Sequence, residues 1–66
     1  MIRPYLSDHA EMRMLNRGIS YDEVVACVNL GCVQEQHTPP NTFAVVYRGL
    51  KVVLGEHGVI TTFRLA

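Results

Sequence analysis

The chain has 66 residues, 48% of them apolar and 18% charged, enough for one small domain and too apolar for a solvated disordered tail. Six basic residues (Arg3, Arg13, Arg17, Arg48, Lys51, Arg64) balance six acidic ones, so the overall basic excess of a non-specific nucleic-acid binder is missing. A chain this short buries only about 60% of the surface its unfolded form exposes, which makes a second copy a natural source of further burial.

Ser7 is a good N-cap for a first helix, and Asp8 and Glu11 fall in its first turn, where the macrodipole favours acids. Gly18 ends this helix after Arg17. Ala10, Met12 and Leu15 are read as its core side. A second helix opens on the capping box Ser20-Tyr21-Asp22-Glu23, runs through an apolar stretch and closes at Gly31.

Beyond Gly31 the period becomes alternating. Residues 32–37 suit a short strand, broken by Pro39-Pro40-Asn41. Residues 42–48 alternate Phe43, Val45 and Tyr47 with Ala44, Val46 and Arg48. Gly49 marks a tight turn, residues 51–56 form the next strand, and His57-Gly58 reads as a two-residue hairpin turn. In the final strand, residues 59–65, Val59, Thr61, Phe63 and Leu65 share one face. If Phe63 and Leu65 face the helices, Thr62 and Arg64 lie on the open side. The expected architecture is α+β: a single domain over residues 1–66, with two N-terminal helices packed on a three- to four-stranded antiparallel β meander.

No apolar run approaches the roughly 18 residues of a membrane span and no signal-peptide pattern is present, so a soluble, cytoplasmic protein is expected. Cys27 and Cys32 have no metal-pair spacing and read as reduced packing thiols. His9, His37 and His57 share no local ligand spacing, and no phosphate-binding loop, dinucleotide fingerprint or nucleophile elbow occurs. Neither a metal nor a cofactor is expected.

At about 100° per residue, His9, Arg13, Asn16 and Arg17 share one sector of the first helix, from which Asp8 and Glu11 are absent. Like charges four residues apart repel, and an anion between Arg13 and Arg17 would turn that cost into a gain. A merely solvated basic face fits the same pattern. Thr62 and Arg64, with Arg48 and Tyr47 two strands earlier, form a second group suited to a phosphate or to solvent.

His9-Ala10, Arg13-Met14 and Arg17-Gly18-Ile19-Ser20, followed by Ile60-Thr61-Thr62-Phe63-Arg64 near the C-terminus, carry a resemblance that covers nearly the whole chain. In these motifs the sequence resembles the bacterial domain of unknown function numbered 4258, and through it the RelE-like and colicin- or EndoU-type ribonuclease toxins. The resemblance implies a metal-independent endoribonuclease that cleaves RNA by attack of its own 2′-hydroxyl. His9, Arg13, Arg17 and Arg64 would be catalytic, and Arg48, Tyr47 and Thr62 would bind substrate. RNA and a cognate antitoxin would be its partners. His9, beside a helix N-terminus that disfavours added positive charge, suits the base role. The chain is neutral, whereas toxins of this type are usually basic. The alternatives are a non-catalytic homodimeric interaction module, a toxin–antitoxin partner, or a phosphate-ligand sensor using Arg13 and Arg17.

Overall fold

The computed structural model describes residues 1–36 and 41–65, the side chains of Glu35 and Gln36 aside. Helix α1 spans Asp8–Arg17 and helix α2 Tyr21–Leu30. Strands β1 (Cys32–Gln36), β2 (Thr42–Tyr47), β3 (Leu50–Gly55) and β4 (Gly58–Arg64) follow. The strands pair antiparallel in sequence order, so the sheet is a simple meander. The expected extension of β1 to His37 and the Pro39-Pro40 break lie outside the described residues.

Local chemistry sets the helix ends. Ser7 Oγ accepts from Ala10 N at 3.0 Å, and Gly18 takes the left-handed conformation (φ 64°) that turns the chain back so that Ile19 N donates to Met14 O at 2.9 Å. The capping box forms in both directions: Glu23 N donates to Ser20 Oγ and Ser20 N to Glu23 Oε1, each at 3.2 Å. Only Gly18, Ile19 and Ser20 separate the two helices, which forces both onto one face of the sheet. There α1 lies against β4 and α2 against β2 and β3.

The core between the layers joins Ala10, Met14, Ile19, Val24 and Cys27 to Val45, Leu50, Val52, Leu54 and Val59. Cys27 donates its thiol proton to Val45 O (3.2 Å) and Leu50 O (3.6 Å), and burial pushes this thiol's pKa up. Cys32 is exposed. Of the expected core side of α1, Ala10 is buried and is joined by Met14, whereas Met12 and Leu15 are 62% and 84% exposed. Both pairs make an apolar stripe on the helix, and the smaller Ala10 side lets the helix approach β4 closely.

Two turns also shift. Gly55 pairs with Gly58, so the two-residue hairpin loop is Glu56-His57 rather than His57-Gly58. Gly58 adopts φ 109° with the Tyr5 backbone where a side chain would stand. β2 ends at Tyr47, and Arg48 joins Gly49 in the turn, both with positive φ (48° and 78°), the pattern of a type I′ hairpin.

The alternation expected along β4 is broken. Leu54 pairs with Val59 and Val53 with Thr61, leaving Ile60 as the extra residue of a β-bulge. Past the bulge the faces exchange: Thr62 opposes Val52 on the helix side and is fully buried, while Phe63 opposes Lys51 on the other face. The orientation with Phe63 toward the helices and Thr62 toward the open side is therefore corrected. The Thr62 hydroxyl finds no hydrogen-bond partner. Thr62→Val keeps the shape and removes the desolvation cost of an unpaired hydroxyl, so it should raise stability by about 1 kcal/mol in urea denaturation. A loss of stability would mean that the hydroxyl has a partner in solution.

Candidate functional site

Helix α1 begins beside Val59, where Ser7 N donates to Val59 O (3.2 Å), and ends beside Thr62, whose carbonyl oxygen accepts from Arg17 Nη1. The exposed cationic sector of α1 therefore runs along the outer edge of β4. At its start Arg13 Nε donates to His9 Nε2 at 3.3 Å, with both side chains exposed. In that contact His9 Nε2 is the acceptor.

At the other end of α1 several basic groups collect. The Arg17 guanidinium stands 6.0 Å from the centre of the Phe63 ring, and Lys51 Nζ 5.5 Å from the same ring. Arg17, Phe63 and Arg64 line an open concavity of about 490 Å³. Arg64 reaches three acceptors through Nη2: Gly18 O at 3.0 Å, Glu23 Oε1 at 3.2 Å and Glu23 Oε2 at 3.0 Å. It thus ties the end of β4 to the C-cap of α1 and the capping box of α2. A smaller depression beyond this pair, about 120 Å³, is lined by Glu23, Ala26, Tyr47, Arg48 and Leu50, with the Arg48 guanidinium 5.4 Å from the Tyr47 ring centre.

The geometry divides the expected residues. His9 and Arg13 pair, and Arg17 continues their row. Arg64 joins Arg17 at the C-terminal end of the helix, eight residues and about 12 Å of helix rise from His9. Tyr47 and Arg48 lie across the Glu23–Arg64 pair. Thr62 contributes its carbonyl oxygen to Arg17, its side chain being buried. Lys51 and Phe63 escaped the sequence reading, because their approach depends on the cross-strand register past the bulge.

Glu23 is held below the ordinary carboxylate range, first by the Ser20 amide and then by Arg64. A carboxylate with a depressed folded-state pKa stabilises the fold above its unfolded value, near 4.5, and that contribution disappears as pH falls through the lower folded value. Glu23→Gln should therefore flatten the acid limb of a stability-against-pH curve below about pH 4.5. An unchanged limb would show that the interaction is screened away at the exposed surface.

Among the described residues no group of three His, Cys, Asp or Glu side chains could hold a metal ion, and no helix is long and apolar enough to cross a membrane. Two capped helices over one face of a four-stranded antiparallel meander, with a basic helix row along the edge strand, define a small two-layer α+β domain. The model of the family described as Domain of unknown function (DUF4258) matches residues 6–64, and the chain belongs to that family. No curated protein and no solved structure matches it.

Proposed function

We propose that this domain is a metal-independent endoribonuclease working along the α1–β4 edge, in the manner of the RelE-like toxins its motifs resemble. The observation that carries this reading is the His9–Arg13 contact: a lone pair on an exposed imidazole, held by a guanidinium, with Arg17 one turn further on. His9 Nε2 takes the proton of the RNA 2′-hydroxyl as that oxygen attacks phosphorus. The bond to the 5′-oxygen breaks, and that oxygen takes a proton from solvent. A 2′,3′-cyclic phosphate and a 5′-hydroxyl remain. Arg13 neutralises the charge that grows on the phosphoryl oxygens, and Arg17 holds the strand further along the helix.

The test is cleavage of ribosome-bound and free RNA by purified protein in excess EDTA, wild type beside a folded His9→Ala variant. Wild-type cleavage with a loss on the order of 10²- to 10⁴-fold in the variant is the expected result. Absence of cleavage by either protein overturns the reading. A second reading, an interaction module that pairs through an edge strand, has its own support. The β4 edge is covered by residues 5–7 and Arg17, whereas β1 carries Val33 at 69% exposure.

A further inference from the structure

We infer that Phe63, flanked by Arg17 and Lys51, is the seat of one unpaired nucleotide, its base laid on the ring and its phosphate held by the flanking cations. The inference rests on reading this surface as an RNA surface. It adds the class of strand that is bound: single-stranded, with a base splayed out about a helix length from His9.

Three features converge on this ligand. Phe63 stands on the sheet face away from the helices and lines the 490 Å³ concavity with Arg17 and Arg64, so part of the ring is accessible. Both cations stand near the roughly 6 Å limit of cation–π attraction, further from the ring than a stacked base would be. Lys51, on β3, and Arg17, at the outer edge of β4, both approach this one ring, whereas the nearby carboxylate of Glu23 is held by Arg64 and the Ser20 amide. Arg17 and Lys51 are like charges flanking the ring, and a phosphate held by either one is attracted by the other.

The end of α1 would normally repel an anion, since the macrodipole is negative there. Here the cation of Arg17 stands in that last turn, and the Gly18 carbonyl is taken up by Arg64. A ring that stacks and cations that take the phosphate form the combination by which proteins hold single strands with little sequence preference. An acidic peptide would use the cations and leave the ring without a role.

The experiment measures fluorescence anisotropy of a labelled eight-nucleotide oligouridylate and of an RNA duplex of equal length. It uses the full chain carrying His9→Ala, so that cleavage does not intrude. Phe63→Leu should weaken single-strand binding about 5- to 150-fold while Phe63→Trp retains it. Lys51→Gln should reduce the slope of log affinity against log salt by about 0.7. The duplex should bind more weakly than the single strand. Circular dichroism of each variant separates lost binding from lost fold. Binding by folded Phe63→Leu that equals the parent, or equal binding of duplex and single strand, overturns the proposal. Such a result beside wild-type cleavage would remove the seat and leave the ribonuclease. Phe63-dependent binding without cleavage would do the reverse.

Discussion

Gly31→Ala is expected to destabilise the domain by about 3 kcal/mol or more, the size of a severe overpacking defect. A methyl group at this position would stand 2.5 Å from Cys27 O, 2.6 Å from Val45 Cγ1 and 2.7 Å from Val46 O. Two of these atoms are backbone carbonyls, one on the last turn of α2 and one on β2, so no side-chain rotation relieves the clash. The cause is space and not backbone freedom, since Gly31 has an ordinary extended conformation (φ −81°, ψ 176°). Its own amide donates to Cys27 O at 2.9 Å, which closes α2 as the chain turns into β1. Moving the two carbonyls apart would therefore separate the helix layer from the sheet. A domain of this size has about 3 to 10 kcal/mol of total stability, so a loss of this order removes between about a third and all of it. Gly18 supplies the control: it has φ 64° with no atom within 4 Å of an added methyl, so Gly18→Ala should cost only about 1 kcal/mol. Urea denaturation of the two variants decides the matter. Equal losses would mean that the α2–β1 junction relaxes freely.

The contrast between these glycines shows what a sequence discloses. Ser7, Gly18 and the Ser20–Glu23 box act within three or four residues of themselves, so the helix ends were legible from neighbouring letters alone. The meander was legible for the same reason, through the alternation after Gly31 and the turn residues between strands. The helix faces were harder. Ala10 with Met14 and Met12 with Leu15 are both apolar pairs at helical spacing, and only β4 decides between them. The β4 face assignment failed at one extra residue, Ile60, because a bulge exchanges the faces of everything beyond it and alternation alone does not reveal it. The same exchange hid the Phe63–Lys51 neighbourhood and made Thr62 look accessible. The His9, Arg13 and Arg17 row was visible on a helical wheel, since those residues share one element. The contact between Arg64 and Glu23 spans 41 positions and needed the fold.

The His9–Arg13 pair carries the largest expected effect on activity, and a double-mutant cycle shows whether it acts as a unit. His9→Ala should lower the rate on the order of 10²- to 10⁴-fold as the base is lost. Arg13→Gln should lower it on the order of 10²- to 10³-fold, the usual consequence of removing one donor to developing negative charge. The double variant should lose little more than His9→Ala alone, because groups that serve one step together give strongly non-additive losses. The physical reason lies in the 3.3 Å contact. In the free protein Arg13 Nε–H rests on the His9 lone pair. On the proposed ribonuclease reading, a phosphoryl oxygen of bound RNA, as the better acceptor, would take that hydrogen bond and release Nε2 for the 2′-hydroxyl proton. The arginine would thereby orient the base before the reaction and stabilise the phosphorane during it. Both side chains are exposed, so each substitution should change stability by no more than about 0.5 kcal/mol, and a lost fold cannot imitate the result. Losses that multiply would assign the two residues to separate steps. Full activity in Arg13→Gln would transfer the stabilising charge to Arg17, which sits one helical turn closer to Phe63.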